Sequence, residues 1–543
     1  MTTSRQTSSD RSAAQSHFAI IRQAALYLTR IPGAGLRLLL LGGLLLTAGM
    51  AAPAVIRIDP SQVIAHGAAR RLGINVDYLM DDDHRLARGT ATAAAIHAMG
   101  LGYVRYPGGE KSDNYLWSAP PWHRPAPQAA RAHAFPATDA RFFESDQRTA
   151  RPGVLDFDEF MTLCRAAGVQ PVICVAFDSM YKPAKDEATP PSKAQLLQNA
   201  VEWVRYANIE KGYAIRHWTL GNETDYPESY AGKNPGSAIF GADLAEFARA
   251  MKAVDPSIHI GVNGHSREWF ADVLAVAGSY VDFLDVHTYP FYNFKSYAEY
   301  QQSDGDALIT REVETVAQAS IDAITDPALR QRLYLVLSET GALGFPENPG
   351  WANVNNLGKA LATFDILARH LEKERVAFVL LWNTRWTEND RGRIRPDTAL
   401  SRPAAVPSAE PTVAPSAFDA LDQQGNLNAT GQVLALLGNH LQDEMVAVSG
   451  ETAAVRCYAS RSHSGALSLF LLNKDSNRQN ITLQTGLTGS RQADVWRFHG
   501  TGIEDTAPIV SRADSIKLPD GNFEGELPAL SITVLEIAAP GER

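Results

Sequence analysis

A chain of 543 residues, 45% hydrophobic and 20% charged, can bury a large core and is too long for one ordinary domain. Its net charge of −10, with no Lys/Arg run in the body of the chain, argues against a nucleic-acid partner. Three cysteines, Cys164, Cys174 and Cys457, are too few for a disulfide framework and form no CxxC or Cys/His cluster. Cys164 and Cys174 lie in apolar stretches and read as core thiols. No metal or organic cofactor is implied.

Residues 1–37 carry Arg5, Arg11, Arg22, Arg30 and Arg37 against a single acid, Asp10, and Leu38 to Ile56 holds no charge. Such a run is long enough to cross a bilayer, and the basic flank predicts a cytoplasmic N-terminus. Ala51, Ala52 and Ala54 equally suit a signal-peptide cleavage site. On either reading the rest of the chain is expected to be exported, periplasmic or extracellular, with or without an anchor through residues 38–56.

From there the chain alternates apolar runs with helical periods. Strands are expected at Leu72–Asp77, Leu101–Tyr106, Val169–Phe177, Ala214–Leu220, Ile258–Val262, Val281–Val286, Leu333–Leu337 and Val376–Leu381. Helices are expected at Leu86–Met99, Phe157–Ala167, Lys193–Lys211, Ala242–Val254, Ser266–Ala277, Arg311–Ile324, Leu357–His370 and Thr430–Leu441. Eight strands alternating with helices argue for a parallel sheet closed as a (β/α)₈ TIM barrel, an α/β fold, over residues 57–441. No GxGxxG or P-loop pattern follows the first strand, which counts against a nucleotide-binding fold. Residues 118–153 and the proline-rich 391–416 read as long loops, the first a solvated lid. Beyond residue 442 short alternating runs, such as Ala466–Leu472 and Ile532–Leu535, predict a C-terminal antiparallel β-sandwich, to which a strand at 55–65 could add.

Two of the barrel strands end in a carboxylate. Ala214–Leu220 runs into Gly221-Asn222-Glu223, and Leu333–Leu337 into Ser338-Glu339-Thr340-Gly341. In a TIM barrel, side chains at the C-terminal ends of strands form the cleft. Two carboxyl groups facing one another there are what a glycosidase needs, one to protonate the leaving oxygen and one to attack the anomeric carbon. Glu223 suits the acid/base and Glu339 the nucleophile. Asn222 can hold a sugar hydroxyl, and Arg105 is expected to orient a carboxylate. His287 and Tyr289 share a strand end, and Trp382 is placed to stack under a sugar ring. Asn75, Asp77, Asp178 and His265 are further polar strand-end candidates for substrate contacts.

Gly-Asn-Glu on the fourth strand and Glu on the seventh, 116 residues apart, resemble the clan of retaining glycoside hydrolases built on (β/α)₈ barrels. Val104-Arg105-Tyr106-Pro107-Gly108-Gly109, followed by Asp113, Tyr115 and Trp117, resembles the α-L-arabinofuranosidase family, as do Gly73-Ile74-Asn75 and His287-Thr288-Tyr289. The resemblance implies double displacement on an arabinofuranosyl-bearing polysaccharide or oligosaccharide, with the fourth-strand Glu as acid/base, the seventh-strand Glu as nucleophile and the sixth-strand Tyr touching it. Ser338-Glu339-Thr340-Gly341-Ala342 stands closer to heparanase-like β-glucuronidases, and Glu110 follows the Gly-Gly where a small or thiol residue is expected. Two other readings remain open: an endo- or exo-hydrolase of another polysaccharide, such as a uronic-acid polymer, and a non-catalytic carbohydrate-binding envelope protein.

Overall fold

Eight parallel strands close into a barrel: Leu72–Asn75, Tyr103–Tyr106, Gln170–Val175, His217–Leu220, His259–Asn263, Phe283–Thr288, Tyr334–Thr340 and Val376–Leu381. Each pairs with its sequence neighbour, and the last returns to the first through Leu381 beside Ile74. The computed structural model describes residues 53–83, 89–132, 134, 142–181, 190–226, 234–290, 294–303, 306–342, 345, 347–348, 351, 354–386 and 419–539. The predicted loop 391–416 and residues 38–52 of the predicted apolar span lie outside the described residues.

The helices between the strands begin where the sequence supplies caps. Asp156 and Glu159 form a reciprocal capping box for Phe157–Ala167, which ends at Gly168 in the left-handed region. Ser192 and Gln195 do the same for Lys193–Val204. The predicted helix to Lys211 instead widens into a π-turn at Arg205–Glu210. Asn208, on that turn, exchanges two hydrogen bonds with the backbone of Ile215 and fastens the turn to the incoming fourth strand. Ala214 takes a positive φ of 56°, so that strand begins at His217 and not at Ala214. The helix expected at 311–324 is likewise a π-turn, Glu312–Gln318, followed by a short α-turn, Ala319–Asp322.

Alternate residues of each strand point into the barrel, as a pleated strand requires. Its lower interior is filled by Val172, Phe283, Val336, Phe378 and Leu380 with Tyr103 and Tyr334 against them. Tyr103 stacks on Phe378 and Phe283 on Tyr334. Outward-facing partners such as Val104, Ile173, Trp218 and Leu284 join the larger core beneath the helices. His217 stands among these rings, 5.0 Å from Phe378, and His259 bonds the Tyr334 hydroxyl at 2.8 Å, while the carboxylates at the strand ends gather at the other end of the barrel.

The remaining strands form a nine-stranded sheet in which neighbours are antiparallel with one exception. Strand Ala54–His66 lies inside this sheet, antiparallel to Glu444–Ser449 and parallel to Gln479–Gln484. Ile56 and Ile58 face the sheet's own core with Cys457, Leu469 and Leu535. Phe470, Leu472, Ile532 and Val534 face the barrel core. Strand Leu467–Asn473 is therefore buried on both faces. Lys474 is fully buried, its ammonium over the Tyr300 ring and bonded to the carbonyls of Tyr300 and Ser303. Asp365 accepts hydrogen bonds from the hydroxyls of Tyr300 and Tyr458 and completes this join between barrel and sheet.

No helix among the described residues is long and apolar enough to cross a membrane. The last three residues of the predicted apolar span, Ala54–Ile56, are strand. Burial alternates there between Ile56 and Ile58 inside and Arg57 and Asp59 outside, a period of two that fits a half-buried strand.

Candidate active site

The fourth strand ends in a turn that breaks the β geometry twice, Gly221 at φ 77° and Glu223 at φ 55°. A left-handed Glu costs on the order of 1 kcal/mol and is held only where its surroundings fix it. Here the Glu223 amide donates to Asn263 Oδ1 at 3.1 Å, and the Thr224 hydroxyl to Asp178 Oδ1 at 2.6 Å. The seventh strand reaches the site through an irregular register. Its pairing with the sixth strand slips between Val336 and Glu339, and with the eighth between Leu337 and Thr340. A slip of this kind re-aims side chains. It lets adjacent Ser338 and Glu339 both bond into the barrel.

Glu223 and Glu339 meet over His287. Oxygens of the two carboxylates and a nitrogen of the imidazole all lie within 4.8 Å of one another. Glu339 Oε1 accepts from Arg105 Nη1 at 2.7 Å, and its Oε2 from the Tyr289 hydroxyl at 2.9 Å. The other arm of the guanidinium donates to Asn222 Oδ1 at 2.7 Å, so Arg105 ties the floor of one carboxylate to the other. Arg105 is fully buried and also donates to Asn75 Oδ1. The Glu223 side chain is 19% exposed and that of Glu339 7%, which puts Glu223 nearer the solvent. Glu223, His287 and Glu339 could ligate a metal by composition, but Arg105 already supplies a cation to Glu339.

His287 is fixed from behind. Ser338 donates its hydroxyl hydrogen to Asp285 Oδ2 at 2.8 Å and so offers its oxygen to His287 Nε2, 2.9 Å away. This places a hydrogen on Nε2 and leaves Nδ1 to face Glu223 Oε1 at 2.9 Å. Burial alone would raise the Glu223 carboxyl, but the hydrogen bond and charge of His287 outweigh it, with help from His265 and Arg105. Its pKa therefore lies below the usual carboxylate value. For His287 burial works downward, and the charges of Glu339 and Glu223 overcome it and raise the imidazole. The same contact therefore pulls the two groups apart, the Glu223 carboxyl downward and the His287 imidazole upward.

The other sequence candidates divide into cleft walls and supports. Trp382 packs against Trp386 at 4.6 Å between ring centres, and Lys111 stands 4.0 Å over the Trp386 ring. Asp77 is fully buried and paired with Lys111 at 2.6 Å, and burial pushes its pKa up to about 7 against that lysine's pull. Asn75 is fully buried, donating to the carbonyls of Ser338 and Leu381, and is a brace under the seventh and eighth strands. Asp178 is fully buried beneath the Gly221–Thr224 turn, where it cannot line the cleft. His265 is held by Asp225 at 2.9 Å, with its ring 6.3 Å from that of His287. Cys164 and Cys174 are free and buried, and Cys174 lies 3.5 Å from Arg105 Nη2.

Sequence reasoning passed over Asp285, Ser338, Lys111 and Asp113. A signal existed for the first: Asp285 precedes His287 by two in an otherwise apolar strand, which puts both inside the barrel. Close approach also shapes the Trp382 wall. Gly109 has φ 35°, and a Cβ there would stand 2.2 Å from the Trp382 ring. Gly109→Ala is expected to displace the indole and raise KM about tenfold, with a smaller change in kcat, in steady-state assays on a substrate that stacks there.

A family model described as an alpha-L-arabinofuranosidase 1 domain matches residues 95–306. An intracellular exo-alpha-(1->5)-L-arabinofuranosidase of Acetivibrio thermocellus is 25% identical over 211 residues, 34% of this chain and 36% of that protein. One from Bacillus subtilis is 38% identical over 92 residues, 16% of this chain and 18% of that protein. The matched stretch thus spans little more than a third of the curated relatives at most. Among solved structures, the α-L-arabinofuranosidase of Thermotoga maritima in its arabinose complex has a TM-score of 0.66 at 17% identity, over 89% of this chain and 99% of that one. The chain resembles α-L-arabinofuranosidases, in sequence over part of the barrel and in fold over barrel and sheet together. The expectation of an exported protein, with or without an anchor, is overturned by these curated relatives, which are named as intracellular.

Proposed function

We propose that this chain is a retaining glycoside hydrolase that acts on an α-L-arabinofuranosyl-bearing oligosaccharide or polysaccharide by double displacement. The observation that carries the reading is the approach of the Glu223 and Glu339 carboxylates to within 4.8 Å at the C-terminal ends of the fourth and seventh strands. Retaining pairs stand about 5–5.5 Å apart, whereas inverting pairs need about 6.5–9.5 Å to admit a water. The sugar is taken from the resemblance to arabinofuranosidases.

In this reading Glu339, ionised against Arg105 and Tyr289, attacks the anomeric carbon. The proton shared by His287 and Glu223 passes through the Glu223 carboxyl to the leaving oxygen. Bond formation then discharges Glu339. Its negative charge is a main force holding the proton on His287, so the proton affinity of the pair falls. Glu223 becomes a base for the water that releases the sugar. Because the imidazole pKa is raised, the shared proton is present at low pH and is lost as pH rises through that raised value. The alkaline limb of kcat/KM should therefore lie above about pH 6.5, the ordinary imidazole value. Ser338→Ala frees Nε2 to lose its hydrogen and should lower kcat about tenfold with KM nearly unchanged, a deficit read from steady-state kinetics.

The reading is tested by offering the full chain a panel of aryl glycosides and arabinose-bearing polysaccharides and following the first-formed sugar by proton NMR. Release of arabinose with its α configuration supports it. Release of the β anomer discards double displacement, and release of another sugar with retention keeps the chemistry and replaces the substrate.

A further inference from the structure

Two carboxyl groups outside the reacting pair converge on the turn that carries Glu223. Asp113 sits in the short helical turn Gly109–Asn114 after the second strand, and Asp178 opens the turn Asp178–Met180 after the third. Both are fully buried. Asp113 Oδ1 accepts the Asn222 amide at 3.1 Å. Asp178 Oδ1 accepts the Thr224 hydroxyl at 2.6 Å, and the same Asn222 amide lies within its reach. A Cβ on Gly221 would stand 2.7 Å from Asp178 Oδ1, so the acid lies flat against the backbone. The second oxygens of both, Asp113 Oδ2 and Asp178 Oδ2, are buried and meet no hydrogen-bond donor among the described residues.

We propose that Asp113 and Asp178 act as one buried acid pair, sharing a single proton, that positions the Gly221–Thr224 turn and thereby Glu223; this rests on Glu223 being the acid/base. Two carboxylates that reach one backbone amide in a dry site do not both ionise. The groups facing Asp113 are Asp178, Cys174, Glu110 and Arg105, and those facing Asp178 include Asp225 and Tyr181. Arg105 is the one cation named among them, and its two arms are committed to Glu339, Asn75 and Asn222. A proton is the counter-ion left for the pair. Burial raises both carboxyls, and each of them is raised further by neighbouring acids. The pair reaches past Glu223, because Asn222 passes its constraint through Arg105 to Glu339. Loss of the proton would place a second negative charge under the turn and loosen the hold on both reacting carboxylates.

Asp113 and Asp178 are positioning residues, so the test joins a pH profile to a readout that does not need turnover. The folded-state pKa of Asp178 is raised from 3.8 to about 7, so the stability it contributes is full below about pH 3.8, falls as pH rises between the two values and is gone above about 7. Asp178→Asn has no such proton. Its Tm, relative to wild type, is expected to climb by about 2–4 °C between pH 5 and pH 8.5. In kcat/KM the wild-type alkaline limb should fall with a slope near two, one proton from His287–Glu223 and one from the acid pair. In Asp178→Asn the slope should fall to one. Tm curves that stay parallel across pH, or a limb of unchanged slope, would overturn the proposal. Asp113→Asn makes the same predictions and replaces Asp178→Asn if that variant does not fold. If the wild-type chain turns over no glycoside, the functional reading fails, and the Tm comparison still decides whether the pair shares a proton.

Discussion

Glu339→Gln is expected to reduce kcat by on the order of 10⁴-fold or more on every substrate, and to lower Tm, because the buried Arg105 guanidinium loses its counter-charge. The amide keeps the shape of the side chain, and its oxygen can still accept from Arg105, so the fold retains its cross-barrel bond while the nucleophile is gone. Glu223→Ala should behave differently, and the contrast is the informative part. General-acid help matters in proportion to the basicity of the leaving oxygen. An aryl glycoside with a strongly acidic phenol needs little of it, whereas a sugar leaving group needs all of it. The variant should therefore lose on the order of 10³-fold on oligosaccharides and far less in the first step on an activated aryl glycoside, where a burst of phenol marks the trapped glycosyl-enzyme. Equal losses on both substrates would exchange the two roles or remove them. Steady-state and pre-steady-state release of the phenol measures the difference.

Arg105→Met is the second large effect, and it reaches stability as well as rate. The guanidinium is fully buried and satisfies Glu339, Asn75 and Asn222 at once. Removing one member of a buried ion pair leaves the other desolvated and uncompensated, at a cost of about 3–5 kcal/mol. Denaturant unfolding should show that loss, and kcat/KM should fall by about 10²–10³-fold because Glu339 and Asn222 lose their common tether. Arg105→Lys keeps the charge but cannot fork to both sides. It should recover much of the stability and little of the rate. A lysine variant with full activity would show that charge, and not the two-armed geometry, is what the site requires.

The barrel was legible because its strands are buried on both faces and read as apolar runs with polar residues at one end. Glu223 and Glu339 were legible for the same reason. The pattern could not separate Glu223 from Asp178 or Asn75, which are also polar residues at strand ends. What separates them is local geometry: a left-handed backbone at Glu223 and a register slip before Glu339. Asp113 lay inside a motif read for its resemblance, and its role depends on a contact with residue 222, more than a hundred positions away. Lys474 stands among Asn, Asp and Ser, the composition of a turn, and its burial comes from the barrel helix carrying Tyr300, which no local window contains. The last residues of the uncharged run, Ala54–Ile56, belong with Arg57 and Asp59 to one alternating strand, a pattern that a count of charges does not see.

That strand, Ala54–His66, has a consequence for the order of assembly. It lies between Glu444–Ser449 and Gln479–Gln484, which leave the ribosome about four hundred residues after it. During synthesis the strand has no sheet to join, and the sheet, once made, lacks an interior member until the strand returns. Neither the barrel segment nor the C-terminal segment cut out alone would carry a finished sheet, so the two should melt as one cooperative unit and resist separation by limited proteolysis. A circular permutation that links the C-terminal end to residue 54 and opens the chain between residues 441 and 444 would test this, since it makes a distant pairing local and should speed refolding without altering the site.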